Sequence, residues 1–476
     1  MSASVPRAAA PDLGIRPLTD APVPDPAALL REFRGRYRQL PWWRDSRDTL
    51  FTPVASPLGD MQDFVARVLD LYRAHLKVVH AMQTGTGVVA GTPYARLYPL
   101  VREYYSAWPA IGPGELLADD VLLDPATAQM LYGRPDVVMS AGGPRVVETN
   151  FDSAVGGIDN PDDIWHISAA LFGVGADLTR AGSPVQGMAE YFEELAAGHP
   201  TLVRWIMRPD APTRALLDRR MLRLNSLSLH TRHHVTYAGD PVPPLDGDDR
   251  GRTAWLHRAC SIFTLNRDRE RFAATLAHLA SRVARCTVPL GLAHLGSKLF
   301  LAWLSDPQAR PATLTADEIA SIEAIVPWTR LLKALDGPAL ERVRRERGEM
   351  ILKQTDSHDG RDVVFGCNLT ADEWQALVDA KLQAPDTVDG QPRVWIVQER
   401  VHPQPCELIE YTDEGAGSRR TGLSCCPYIF GGRLRGVETW VMPFTPDHVM
   451  LDRMQWVGHF LEKEDGGASR VLAAQG

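Results

Sequence analysis

The sequence predicts a mixed α/β chain with a helical N-terminal region, a largely parallel sheet, and a strand–loop–strand–helix unit of the α+β kind. Three observations lead there. Phe64, Val68, Leu71, Tyr72, Leu76 and Val79 share one face at helical spacing. From about 120 to 295, short apolar runs alternate with helical stretches, the pattern of strands joined by crossover helices. Beyond them, Ile351-Leu352-Lys353 and Val363-Val364-Phe365 flank a polar loop, and a helix signal follows at once.

Taken in order, residues 1–27 are rich in Pro and Ala and read as an extended or mobile segment. Residues 28–119 form the mainly helical region. Its loop Met82 to Gly91 has GxG but not GxGxxG, so a dinucleotide fingerprint is not supported. Residues 120–295 carry strands at Leu202 to Met207, Val235 to Tyr237 and Ala254 to Phe263. Between and after them lie a helix near Arg214 to Leu224 and one bearing Phe272, Leu276, Leu279 and Val283. His230-Thr231-Arg232-His233-His234 reads as a polar loop entering a strand, since no cysteine or carboxylate cluster accompanies it. Within 296–447, capping boxes at Thr315-Ala316-Asp317-Glu318 and Thr370-Ala371-Asp372-Glu373 start two helices. Residues 448–476 read as an amphipathic helix and a Gly/Ala tail.

Composition narrows the function. A net charge of −8 gives no electrostatic case for nucleic acid or anionic lipid. No apolar run reaches the roughly 18 residues of a membrane span. The first residues do not read as a secretory signal. The six cysteines are scattered, and the vicinal pair Cys425-Cys426 is poorly placed for a disulfide, so a reduced cytoplasmic chain is expected. Trp42-Trp43 and Trp165 are expected to pack or to line a cleft.

Chemistry concentrates at two places. Arg134-Pro135-Asp136 precedes Glu148-Thr149-Asn150-Phe151-Asp152-Ser153 across two apolar runs and the turn Ala141-Gly142-Gly143-Pro144. Glu148 and Asn150 point to one face of a strand, and Asp136 on the neighbouring strand can meet them. Two carboxylates and an amide oxygen make a half-shell for Mg²⁺, which takes few protein ligands and leaves room for phosphate oxygens. At the second place a strand end delivers Lys353 to the polar loop ending at Gly366, a unit able to fold over nucleotide phosphates. Lysine is scarce: only Lys77, Lys298, Lys333, Lys353, Lys381 and Lys463 among 51 basic residues.

From about 120 to 445 these segments resemble, in order, the circularly permuted ATP-grasp ligases, the group of glutathionylspermidine synthetase and eukaryotic glutathione synthetase. Arg134, Asp136, Glu148, Asn150, Asp152 and Ser153 fit that family's Arg-x-Asp and Glu-x-Asn-x-Asp-Ser motifs without a gap. Ser297-Lys298 is similar to its Asn-Lys segment, which implies a first ATP lysine at Lys298; Lys353 takes the place of the second. Ile325-Val326-Pro327-Trp328-Thr329 is similar to its Ile-Pro-x-Thr element. The resemblance implies that Gln398, Glu399 and the backbone near Val401 read adenine and ribose, and that Cys426 to Gly436 belongs to a closing strand pair. The loop Asp356-Ser357-His358-Asp359-Gly360 departs from the family's glycine-rich form, leaving open whether Asp356 or Asp359 completes the metal shell.

The resemblance implies a permuted ATP-grasp fold with a pre-ATP-grasp parallel-sheet domain at 120–295 and a nucleotide-binding region at 296–447. It implies a ligase using ATP and Mg²⁺ to join a small carboxylate to an amine through an acyl-phosphate, releasing ADP. Arg134 is expected to stabilise the moving phosphoryl group, and Asp152, Ser153, Gly156 and Gly157 to orient the carboxylate substrate. No amidase domain is visible, so a free-standing ligase is expected, making a small peptide or γ-glutamyl amide in bacterial specialised metabolism. The oligomeric state stays open, a homodimer included. The alternatives are a degenerate grasp protein that binds nucleotide without turnover and an ATP-dependent phosphotransferase.

Overall fold

The computed structural model describes residues 13–19, 22–38, 49–85, 92–106, 131–151, 155–173, 178–180, 182–207, 211–237, 252–259, 270, 273, 285–286, 294–357, 360, 362–388, 391–442, 444–445, 448–449 and 454–462. The expected N-terminal helix is the long one, Leu58–Thr84, and it stops at Gly85, whose left-handed φ of 65° caps it. Phe64, Val68, Leu71, Tyr72, Leu76 and Val79 are all buried along it. The helix Ala316–Ile325, opened by the expected capping box, packs beside it. Lys77 to Glu318 (2.8 Å) and Ser321 to Asp70 (2.8 Å) tie the two together.

The expected parallel sheet is present. Its strands run in the order Arg285–Cys286, Thr253–Arg258, Thr201–Met207, Thr231–Tyr237, every pair parallel. All seven residues of Thr201–Met207 are buried, as a central strand covered on both faces requires. Helix Ala211–Leu227 is the crossover to Thr231–Tyr237. The histidine-rich stretch expected as a loop is strand from Thr231 on, because its backbone pairs with Thr201–Met207, and Glu193 clamps its start by accepting hydrogen bonds from the backbone N–H of His230 and Thr231 and from the Thr231 hydroxyl. The helix expected around Phe272 to Val283 and the pair Trp42-Trp43 lie outside the described residues.

A mixed sheet in the order Arg16–Pro17, Val54–Pro57, His459–Glu462, Leu178–Arg180 lies among the remaining strands, and two antiparallel sheets carry the rest of the site. A small one runs Thr329–Leu331, Trp395–Glu399, Met350–Gln354, Val363–Phe365. Helix Ala371–Gln383, with the second capping box, covers it through Trp374 and Val378. The large one runs Leu50–Phe51, Cys406–Thr412, Gly415–Phe430, Arg433–Met442, Gln455–Val457. The hairpin Tyr132–Ser140/Gly143–Asn150 joins it by pairing its first strand with Gly415–Phe430. Val137, Val146, Cys425, Val437, Val441 and Val457 enter the main core from one face of this sheet. Its other face carries the polar residues described below.

The C-terminal helix expected beyond Asp447 is not what forms. Gln455–Val457 and His459–Glu462 are strands, the first beside Arg433–Met442 and the second parallel to Val54–Pro57. Gly458 between them disfavours a helix. Sheet edges offered by distant residues then capture an aromatic and β-branched segment. Among the described residues no helix is long and apolar enough to cross a membrane.

Candidate active site

The hairpin register builds the site. Arg134 lies opposite Asn150 and Asp136 opposite Glu148, so all four side chains share one face. The next pair is Val137 with Val146, which leaves Val147 as an extra residue, a β-bulge. Its carbonyl is thereby freed from the ladder and accepts a hydrogen bond from Lys353 Nζ at 3.0 Å. Asn150 Nδ2 donates to Asp136 Oδ1 at 3.4 Å, and Arg134 Nη2 donates to the same oxygen at 3.2 Å.

Both lysines arrive from other elements. Lys298 precedes the buried helix Leu299–Ser305. Its Nζ lies 2.8 Å from Glu148 Oε1 and donates to the Ser357 carbonyl at 2.7 Å. Its backbone N–H donates to the Thr355 carbonyl, which binds the start of that helix to the loop after Lys353. Lys353 also donates to Gln398 Oε1 at 2.7 Å. Burial lowers the Lys353 pKa to about 8, with Glu148 opposing the shift and the neighbouring Lys298 ammonium adding to it. Burial raises the Asp136 carboxyl; Arg134 opposes this and Glu148 adds to it.

The donor set suits a hard divalent cation. Two carboxylates and an amide share a face, and an Asp136 raised by burial and by a neighbouring anion is a place where added positive charge is favoured. Among the described residues no group of three or more His, Cys, Asp or Glu is arranged to hold a metal, so the amide of Asn150 is needed to complete a set of three.

Gln398 and Glu399 send their side chains to different partners. Gln398 is fully buried and spent on the lysine: its amide oxygen accepts from Lys353 and its Nε2 donates to Thr329 at 3.0 Å. Glu399, one residue on, leaves from the opposite face, 3.5 Å from Arg342 Nη2. Val401 follows the strand, half-buried, with no regular structure of its own. In the phosphate loop, Asp356 accepts from the Thr355 hydroxyl, while Asp359 lies outside the described residues, as do Asp152 and Ser153.

The far side of Arg134 holds a residue the motif reading missed. Glu438 lies opposite Cys426 in the sheet register, on the same face as Arg134, and is buried. Arg134 Nη1 donates to Glu438 Oε2 and to the Gly156 carbonyl. Tyr428 donates to Gly156 O at 3.0 Å and contacts Glu438 Oε2 at 3.3 Å. Glu438 Oε1 accepts from Asn160 Nδ2 (3.2 Å) and Trp456 Nε1 (2.8 Å). A Cβ on Gly157 would lie 2.8 Å from Glu438 Oε1, so glycine allows the loop to approach. Beyond Glu438 lies a small, water-sized pocket lined by Asn160, Trp165, Thr439, Trp456 and His459. The available signal was a lone glutamate within the apolar run Val437-Glu438-Thr439-Trp440-Val441.

No protein-family model matches the chain. No curated protein matches it. Among solved structures it is similar to a glutathione synthetase-like effector from Globodera pallida in its apo form, with a TM-score of 0.53 and 12% identity over 92% of this chain and 98% of that one. At that identity the likeness is one of fold. The mixed α/β class expected from the sequence is present, in a fold similar to that of a glutathione synthetase-like protein.

Proposed function

We propose that this protein is an ATP-dependent ligase that joins a carboxylate to an amine, releasing ADP and phosphate. One observation carries the reading. Lys298 and Lys353, from two separate elements, both reach the hairpin that bears Asp136, Glu148 and Asn150. Cations for phosphate oxygens and hard oxygens for Mg²⁺ then face one space, which is what phosphoryl transfer requires. The glutathione synthetase-like fold supports the same class. The order of the segments, hairpin before lysine strand, supports a permuted grasp.

In this proposal Lys298 and Lys353 hold the terminal phosphates of ATP, with Gln398 orienting Lys353 from behind. Asp136, Glu148 and Asn150 would hold Mg²⁺, which would supply positive charge to offset that of the phosphate oxygens. Arg134 stabilises the phosphoryl group as it passes to the substrate carboxylate. Gly156 and Gly157 bring backbone close to that carboxylate, and Asp152 and Ser153 are assigned to the same task. An amine then displaces phosphate. The substrates are small amino-acid-like molecules, the product a peptide or γ-glutamyl amide, and the setting cytoplasmic specialised metabolism.

The test is a screen of amino-acid pairs with ATP and Mg²⁺ for ADP, followed by mass spectrometry and by trapping with hydroxylamine. A hydroxamate formed with ADP supports the reading; AMP with pyrophosphate overturns it. A second reading has support of its own: Glu148 and Asp136 are already engaged by Lys298 and Arg134, and the structural neighbour is described as an effector. On that reading the chain binds nucleotide without turnover. Saturable ATP binding with no ADP from any pair would establish it.

A further inference from the structure

Glu438 is one of the most enclosed carboxylates in the fold, with 1% of its side chain exposed beside Arg134. An ionised carboxylate offers about four acceptor positions. Here Arg134 donates to Oε2, Asn160 and Trp456 donate to Oε1, and the Tyr428 hydroxyl, whose one hydrogen lies closer to the Gly156 carbonyl, sits 3.3 Å from Oε2, so the carboxylate is closed in on both oxygens. The four side chains come from four places: the hairpin, the central strand Gly415–Phe430, the first residue of helix Asn160–Phe172, and the edge strand Gln455–Val457. Glu438 therefore gathers side chains without touching reacting atoms.

Arg134 is the donor whose placement matters most. It spans two carboxylates, with Nη1 on Glu438 and Nη2 on Asp136 at 3.2 Å. Its guanidinium also sits 5.6 Å from the centre of the Tyr428 ring. An arginine side chain has considerable rotamer freedom, and a buried charge-assisted hydrogen bond removes it. With Glu438 neutralised, the remaining anion at the guanidinium is Asp136, the carboxylate assigned to the metal. The guanidinium, already 3.2 Å from Asp136, would then pair with Asp136 alone and compete more strongly with the cation for it.

We propose that Glu438 is the positioning residue of this site. It anchors Arg134 from the side away from the phosphates, shares the guanidinium with Asp136 so that neither carboxylate holds it alone, and through Asn160 and Trp456 links its placement to the small pocket beyond. The structural half of the proposal stands on geometry alone; its consequence for turnover rests on the ligase reading.

The experiment compares wild type, Glu438→Gln and Glu438→Asp, with folding checked by thermal unfolding. Arg134 is probed by phenylglyoxal, its modification rate read by peptide mass spectrometry, which needs no turnover. Arg134 in Glu438→Gln should be modified about tenfold faster, and Glu438→Asp should lie between it and wild type, because the charge is kept but withdrawn by one methylene. With an active substrate pair, Glu438→Gln should lower kcat about 30-fold, raise the Mg²⁺ concentration needed for half-maximal rate, and leave the KM for ATP within about threefold. Equal modification rates in folded Glu438→Gln and wild type overturn the positioning role. Should Glu438→Gln not fold, an unchanged rate in Glu438→Asp overturns it equally. If no pair yields ADP the ligase reading fails, while the modification rates still decide the role of Glu438.

Discussion

Lys298 Nζ stands 2.8 Å from Glu148 Oε1, a contact that joins the start of a buried helix to a hairpin far earlier in the chain. The lysine is 2% exposed, so the carboxylate compensates a charge that would otherwise be stranded. Replacing Glu148 by Ala removes both a proposed metal ligand and this compensation. ADP formation should fall at least about a hundredfold, and stability by about 3 kcal/mol. Asn150→Ala should lose turnover similarly at little cost in stability. Near-normal ADP release from folded Glu148→Ala, measured alongside circular dichroism, would end the metal assignment.

The lysines are separable by substitution. Lys298→Met and Lys353→Met should each weaken nucleotide binding or turnover by at least about tenfold, since each removes a buried phosphate-facing charge. Lys333 pairs with Asp386 at 2.8 Å on the partly exposed surface, a contact worth about 0–1 kcal/mol. Lys333→Met should bind nucleotide as wild type does. Equal losses in all three variants, by calorimetric titration, would remove the distinction.

Lys353 should make nucleotide binding pH-dependent. Its pKa is lowered from 10.5 to about 8 by burial, so the folded protein releases this proton before the unfolded chain does. Between these values the unfolded chain binds more protons, and this group's contribution to stability rises with pH. Phosphate binding needs the charged form, so affinity runs the other way. The dissociation constant for ATP should be flat below pH 8 and rise above it by up to about tenfold per unit. Lys353→Arg, charged throughout, should flatten the profile; a wild-type constant independent of pH to 9.5 would count against a phosphate role.

Isotope tracing addresses the acyl-phosphate directly. One oxygen of an ¹⁸O-labelled substrate carboxylate should appear in the released phosphate, because the γ-phosphoryl group is carried off on it. Amide formation with unlabelled phosphate would exclude the route.

Gly156 and Gly157 should differ sharply in tolerance. Gly157 has φ +72° and its Cβ position is 2.8 Å from Glu438 Oε1, whereas nothing lies within 4 Å of a Cβ on Gly156. Gly157→Ala should cost more than about 1 kcal/mol and loosen Arg134; Gly156→Ala should stay within about 0.5 kcal/mol. Matching melting temperatures for the two variants would show that the loop does not need the close approach.

Local pattern was enough for much of this protein. The face of helix Leu58–Thr84, both capping boxes, the strand Thr201–Met207, the end Val235 to Tyr237 of the strand beside it, and the alternation that placed Glu148 and Asn150 together all follow from periodicities within a few residues. So does the meeting of Asp136 with Glu148, because a short turn leaves a hairpin few registers. Tertiary structure decided what neighbours in sequence cannot encode. The bulge at Val147 that turns a carbonyl toward Lys353, the hydrogen bond from that lysine to Gln398, and the pairing of Lys298 with Glu148 all depend on which element comes to rest on which. The C-terminal segment became two strands because sheet edges made of distant residues were there to receive it. Glu438 shows the same division. The sequence marks it as a lone charge in an apolar strand, and only the packing of four separate elements supplies the donors that make burying it tolerable.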